Sequence, residues 1–303
     1  MSASGAKSPG AQTPPSEARE MLRMAREFLE RKGVEEARLD AELLVGHALG
    51  LDRLQLYCEL DRPITEAELS RARELLVRRG RHEPTAYVTG KREFYGRDFV
   101  VRSGVLIPRP ETELIVDRAR EIGAKSSGEV ALADLGTGSG CLAVTLALEL
   151  TDARVWATDI SEEAVEVARE NAQLLEAEVD FRVADGVAGL REVVMERGSP
   201  LDMIVSNPPY VEPGEAASLA PEVRDYEPDG ALFAPSGDPD HWVRALLEGG
   251  RDLLAKDGSL LVELGHLQGP RVLALAEELG WSASLHKDLD GVSRVFEAAW
   301  LEA

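Results

Sequence analysis

Val130-Ala131-Leu132-Ala133-Asp134-Leu135-Gly136-Thr137-Gly138-Ser139-Gly140 is the stretch that decides the fold. Residues 130–135 read as a short buried strand and residues 142–150 as a helix, with only a glycine turn between them. That succession opens an α/β unit and puts the turn at the carboxyl edge of a sheet, where open α/β folds bind ligands. Glycines in that turn let a ligand touch backbone. The spacing is Gly-x-Gly-x-Gly, and Cys141 stands where a dinucleotide fingerprint needs its third glycine, which disfavours NAD and FAD. No Gly-Lys-Ser/Thr follows, so the loop is not a P-loop.

Downstream, residues 155–158, 181–183, 203–205 and 260–264 read as strands, with helical stretches after most of them. Residues 281–286 and 295–300, joined by Asp288-Leu289-Asp290-Gly291, read as an antiparallel hairpin. Residues 111–303 are therefore expected to form one α/β domain on a largely parallel sheet. Upstream the pattern is helical. Ala41, Leu44, Val45, Ala48 and Leu49 share one face before Gly50, and Thr65 with Glu68 forms a capping box ahead of Leu69, Ala72 and Leu76. With Ser16 as the expected first N-cap, residues 17–83 predict a small helical bundle. Between them, at 84–110, Ala86-Tyr87-Val88 and Phe99-Val100-Val101 flank a polar stretch with Gly90 and Gly96, which predicts a β-hairpin linker. Residues 1–16 are mostly Ser, Gly, Ala and Pro and are expected to be a disordered tail.

Fifty-five acidic against 34 basic residues give a net charge of −21, which repels polyanions and argues against direct nucleic-acid binding. Only Cys58 and Cys141 are present, which excludes a disulfide framework and fits a reducing cytoplasm. No run approaches the ~20 apolar residues of a membrane span, and the first fifteen residues do not resemble a secretory signal. His47, His82, His241, His266 and His286 lack ligand spacing, so no metal is expected. Arg78-Arg79-Gly80-Arg81 reads as a solvated helix end, and Cys141 as a small packing residue.

Asp159 ends the strand after the glycine loop, about 20 residues on, where a carboxylate can accept both hydroxyls of an adenosine ribose. Asp185, beside Gly186, follows the next strand and is placed to accept from an adenine amino group. A phosphate-free ligand that joins adenosine to a zwitterionic amino-acid arm suits Gly136, Thr137, Gly138, Ser139, Gly140 and these acids: S-adenosylmethionine.

The fourth strand runs into Ser206-Asn207-Pro208-Pro209-Tyr210. Two prolines fix the backbone and remove two N–H donors, leaving an acceptor-rich rim. Asn207 Oδ1 and the Pro208 carbonyl can each accept one hydrogen of a planar –NH2 group while the Tyr210 ring stacks on its face. An amide nitrogen is a poor nucleophile because its lone pair is delocalised. Fixed acceptors on both hydrogens orient it and favour the positive charge that develops as it attacks a methyl group. Asn207, Pro208 and Tyr210 are thus the candidate catalytic residues, with Pro209 completing the substrate rim.

These motifs resemble the class I S-adenosylmethionine methyltransferases of planar amino groups. Residues 104–113, Gly-Val-Leu-Ile-Pro-Arg-Pro-Glu-Thr-Glu, with Leu39-Asp40-Ala41-Glu42-Leu43-Leu44, narrow the resemblance to the peptide chain release factor glutamine methyltransferase family, PrmC/HemK. Glu222-Val223-Arg224-Asp225-Tyr226-Glu227-Pro228, Glu263-Leu264-Gly265, Gln268-Gly269, Asp290-Gly291 and Arg294-Val295 extend it over nearly all of residues 17–300. The resemblance implies a Rossmann-like, mostly parallel seven-stranded sheet with an antiparallel C-terminal hairpin, beside a small helical domain that grips the protein substrate. It implies that Gly136 to Gly140, Asp159, Asp185, Gly186 and Asn207 contact the donor, and that Asn207 to Tyr210 hold the glutamine of a Gly-Gly-Gln loop in bacterial class 1 release factors. S-adenosylhomocysteine is then the product. Where the family has Gly-Gly-x-Asp-Gly-Leu, this chain has Phe233-Ala234-Pro235-Ser236-Gly237-Asp238-Pro239, and the family's acidic stretch after Asn-Pro-Pro-Tyr is represented by Glu212 and Glu215 alone. A ribosomal-protein glutamine methyltransferase and a nucleic-acid adenine methyltransferase are the alternatives.

Overall fold

A computed structural model describes residues 14–126 and 128–300, and the chain divides into two compact units after Thr89. Most of the expected tail, residues 1–13, lies outside the described residues.

The first unit holds helices α1 (Ala18–Arg31), α2 (Ala37–Leu49), α3 (Arg53–Cys58), α4 (Glu66–Arg79) and α5 (Thr85–Thr89). Their apolar faces meet around Ala25, Leu29, Leu44, Val45, Leu56 and Leu69. Thr65 and Glu68 close the expected capping box on α4, and Gly50 ends α2 in the left-handed region at φ 71°. The cap of α1 is Glu17 rather than Ser16, because the Ser16 carbonyl is taken by the Ile64 N–H and its own N–H donates to Glu20. Arg79 is not part of a solvated helix end. It is buried, and its guanidinium donates to Asp40 at 2.6 Å while Thr85 Oγ1 donates to the other Asp40 oxygen at 2.6 Å. Glu42 is likewise buried and accepts from Arg38, Arg53 and Tyr57. Both acids of the Leu39–Leu44 motif therefore serve the bundle's own packing. Residues 86–88 are helical, not a strand: the Val88 N–H donates to the Pro84 carbonyl at 3.0 Å and Val88 joins the bundle core. Burial against neighbouring helices outweighs the weak strand preference of Tyr and Val.

The second unit opens with a hairpin, β1 (Lys91–Phe94) and β2 (Arg97–Val100), turning at Tyr95-Gly96, both at positive φ. Asn171 ties it down, its Oδ1 accepting the Val100 N–H at 2.7 Å and its Nδ2 donating to the Val100 and Ser139 carbonyls. Then follow α6 (Glu113–Gly123), β3 (Val130–Leu135), α7 (Cys141–Glu149), β4 (Ala153–Asp159), α8 (Glu162–Leu174), β5 (Val179–Val183), α9 (Gly186–Arg197) and β6 (Leu201–Ser206). Two short turns, α10 (Pro221–Arg224) and α11 (Asp229–Leu232), precede α12 (His241–Gly250), β7 (Leu254–Glu263), α13 (Gly269–Glu278), β8 (Trp281–Lys287) and β9 (Ser293–Trp300).

The seven strands lie in the order β5-β4-β3-β6-β7-β9-β8, and β9 alone runs opposite to the other six. Alternation along β3 sends Ala131, Ala133 and Leu135 into one core layer and Leu132 into the other, so both faces are covered by helices. Each fully buried Leu or Met in these layers stabilises by roughly 1.5–3 kcal/mol. Adjacent parallel strands bring four carboxyl ends, those of β5, β4, β3 and β6, to one edge. The expected α/β class with an antiparallel C-terminal hairpin is what the chain adopts. Among the described residues no helix is long and apolar enough to cross a membrane.

Candidate active site

A cavity of about 270 Å³ lies at that edge, and Gly136 to Ser139, Asp159, Asp185, Gly186, Asn207, Pro208 and Pro209 line it; Gly140, expected among them, does not, because it faces Ala168. Gly136, Gly138 and Gly140 sit at φ 74°, 55° and 80°, a region that L side chains rarely adopt. Their tasks differ. A Cβ on Gly140 would lie 2.9 Å from Ala168 Cβ, so this glycine lets α7 approach α8, whereas a Cβ on Gly136 or Gly138 would meet nothing within 4 Å. Those two keep the cavity side of the loop clear. The Gly136 and Thr137 N–H groups both donate to the Thr158 carbonyl, which fixes the loop across the ends of β3 and β4.

Asp159 Oδ2 accepts the Gly138 N–H and Oδ1 the Ser161 N–H, each at 2.9 Å, while burial holds its pKa above the ordinary value. Asp134 is fully buried at the end of β3, and neither of its oxygens has a hydrogen-bond partner among the described residues. Burial pushes its carboxyl up to about 7; Thr137 tempers the shift without reaching hydrogen-bond geometry. The Thr137 and Ser139 hydroxyls are buried and unpartnered as well. Three orphaned polar side chains around a glycine turn are a poor way to stabilise a fold, but they suit the charged amino-acid arm of S-adenosylmethionine. The residues present therefore fit that donor. Asp159 and Asp185, the acids expected at the ribose and the adenine, line the same cavity. The cavity also has a wall that the sequence reading missed. Trp242 lines it, and a Cβ on Gly186 would lie 2.9 Å from the indole.

The acceptor side is built at the end of β6. Ser206 Oγ donates to the Leu135 carbonyl at 2.8 Å, anchoring the start of Asn-Pro-Pro-Tyr to the start of the glycine loop. Asn207 Nδ2 donates to Thr112 Oγ1 at 3.0 Å, and its Oδ1 has no partner among the described residues. Tyr210 does not line the cavity. Its ring lies over Gly265, where a Cβ would come within 2.9 Å, and burial pushes its phenol up to about 12. Arg109 lines the cavity and is held by buried Glu227, which accepts from it at 2.6 Å and from the Ile107 N–H at 3.1 Å. The divergent segment 233–239 supports the same rim from behind. The Ala234 N–H donates to the Val211 carbonyl, and Gln268 Nε2 donates to the Pro239 carbonyl. Cys141 borders the cavity, but burial raises its thiol to about 12, which leaves it unsuited to act as a nucleophile. Among the described residues no three His, Cys, Asp or Glu side chains gather as a metal site.

Two family models match the chain: the PrmC N-terminal domain over residues 20–90 and the methyltransferase small domain over residues 112–223. The release factor glutamine methyltransferase of Chlorobaculum tepidum is 44% identical over 82% of this chain and 85% of its own length. That of Geobacter sulfurreducens is 40% identical over 91% of this chain and 94% of its own. The chain belongs to the release factor glutamine methyltransferase family.

As a member of that family it is a methyltransferase whose methyl donor is S-adenosylmethionine, the donor that the glycine loop and its acids led us to expect. Of the expected donor residues, Gly136 to Ser139, Asp159, Asp185, Gly186 and Asn207 come together around one cavity, and Gly140 lies off it. Thr112, Glu227, Trp242 and Glu263 were not singled out by sequence reasoning. A faint signal existed for Glu263, an acid closing an apolar strand, and for Thr112 and Glu227, which lie inside the motifs that carry the family resemblance.

Proposed function

We propose that this enzyme methylates the side-chain amide nitrogen of the glutamine in the Gly-Gly-Gln motif of bacterial class 1 release factors, in the cytoplasm. The observation that carries the reading is the tethered Asn207 carboxamide: its –NH2 end is held by Thr112, and its free Oδ1 belongs to a cavity-lining residue that opens a donor-poor proline turn. Such a rim selects a group with two hydrogens to give and nothing to accept with, which is what a primary amide nitrogen offers.

The bound donor supplies an electrophilic sulfonium methyl group. Asn207 Oδ1 and the Pro208 carbonyl take the two amide hydrogens, hold the nitrogen in line with that methyl, and stabilise the charge that grows on it. One hydrogen is lost once the N–C bond has formed, when the protonated amide is strongly acidic, so no strong base is required. Pro209, which lines the same cavity, bounds the glutamine side chain, while Tyr210 packs over Gly265 and holds the proline turn in place. Asp134, Thr137, Ser139 and Asp159 hold the donor, and the helical unit grips the release factor. Incubating the full chain with S-adenosylmethionine and, separately, a release factor, ribosomal proteins and DNA tests the assignment. A mass increase of one methyl on the Gly-Gly-Gln tryptic peptide is expected, and modification confined to either other acceptor would refute it.

A further inference from the structure

Thr112 and Glu263 stand behind Asn207 in a single line. Asn207 Nδ2 lies 3.0 Å from Thr112 Oγ1, which lies 2.5 Å from Glu263 Oε2. Thr112 is 2% exposed and Glu263 is 3% exposed, so neither finds an alternative partner in water. A hydroxyl has one hydrogen to give. When Glu263 is a carboxylate, that hydrogen is committed to it, and Thr112 Oγ1 can only accept. The carboxamide of Asn207 must then turn its –NH2 group inward and its oxygen outward, because the opposite rotamer would set two hydrogen-free oxygens against each other. Oxygen outward is the only orientation in which the residue can accept from an amide substrate; with –NH2 outward, donor would meet donor.

We propose that Thr112 and Glu263 are positioning residues that fix the hydrogen-bonding polarity of Asn207, and so make the site accept a primary amide. The inference rests on the function proposed above and adds to it a device for choosing between two nearly isosteric amide rotamers. The polarity of the line depends on one proton. A protonated Glu263 donates to Thr112, frees the Thr112 hydrogen for Asn207 Oδ1, and admits the flipped carboxamide. Burial raises Glu263 to about 7; Glu111 disfavours its ionisation further, Arg294 and Arg109 favour it, and the Tyr210 phenol and Cys141 thiol face it uncharged. Asp134 is raised to about 7 as well, so only a limb that vanishes in Glu263→Gln belongs to Glu263.

The test uses the full chain, saturating S-adenosylmethionine and an intact class 1 release factor, with single-turnover methylation read by mass on the Gly-Gly-Gln peptide and donor affinity read by calorimetry. Thr112→Val keeps the shape and removes the hydroxyl; it should slow transfer by about tenfold or more while donor Kd stays within about threefold. Thr112→Ser restores the hydroxyl and should bring the rate back to within about threefold of wild type. The wild-type rate should fall as pH drops through 7, and this limb should vanish in both Thr112→Val and Glu263→Gln. The proposal is overturned by a Thr112→Val rate equal to wild type, by Thr112→Ser as slow as Thr112→Val, by donor affinity falling in step with rate, or by a pH limb that survives Glu263→Gln. A wild-type enzyme that leaves the peptide unmodified overturns the proposed function itself, and the inference with it.

Discussion

In the proposed reaction Asn207 acts through one carboxamide, so its removal separates binding from transfer. Asn207→Ala should lower the single-turnover rate by about 100-fold or more while the fold and donor affinity stay close to wild type; a rate near wild type would discard the role. Asp134 offers the opposite trade. Its carboxyl, raised from 3.8 to about 7, holds a proton more tightly in the donor-free native protein than in the unfolded chain. Stability therefore falls as pH climbs from about 4 to 7, and the full penalty is present above 7. Asp134→Asn removes the penalty. Its Tm should exceed that of the donor-free wild type at pH 8, by about 2–4 °C for each kcal/mol relieved, and by less at pH 5, while donor affinity falls at both. An equal Tm change at the two pH values would contradict the assignment. The presence of Asp134 beside a glycine loop is legible in the chain; that it is buried without a partner is not, because partners are set by what packs around the strand.

Within the strand–loop–helix element, two glycines of one motif are expected to fail differently. Gly140→Ala drives a Cβ to 2.9 Å from Ala168 at a positive φ, and should destabilise by about 2–4 kcal/mol in denaturant unfolding. Gly138→Ala meets open space, so only the backbone conformation is strained, by about 1 kcal/mol, yet the new methyl enters the donor's cavity. Calorimetry should find its donor affinity reduced by about tenfold or more. Equal effects of the two substitutions on stability would show that the packing difference does not matter. Elements with strong local signals were readable: the strand at residues 130–135, the capping box at Thr65 and Glu68, and the stop at Gly50 all stand where periodicity and capping chemistry place them. Residues 86–88 were misread as a strand. Three apolar residues carry no period, and the bundle that buries Val88 decides their conformation.

At the scale of the molecule, residues 1–89 and 90–303 each enclose their own core, and every residue lining the glycine-loop cavity belongs to the second unit. Deleting residues 1–89 should leave donor Kd within about threefold of the full chain while KM for intact release factor rises by about tenfold or more. Parallel losses of both would contradict a substrate-gripping role for the bundle. The amino-acid sequence alone determined the alternation of strands and helices, the glycine loop, the acids at the strand ends and the rigid proline turn, because each is written in neighbouring residues through periodicity and backbone chemistry. Tertiary structure alone decided what surrounds them. Thr112 reaches Asn207 across 95 residues and Glu263 across 151, and Glu227 reaches Arg109 across 118. The pairing of β6 with β7 brings Asn207 and Glu263 to one edge, the segments before α6 and α12 pack against it, and the raised carboxyls follow from the burial this creates; local pattern encodes neither, since both depend on which distant segments exclude water together.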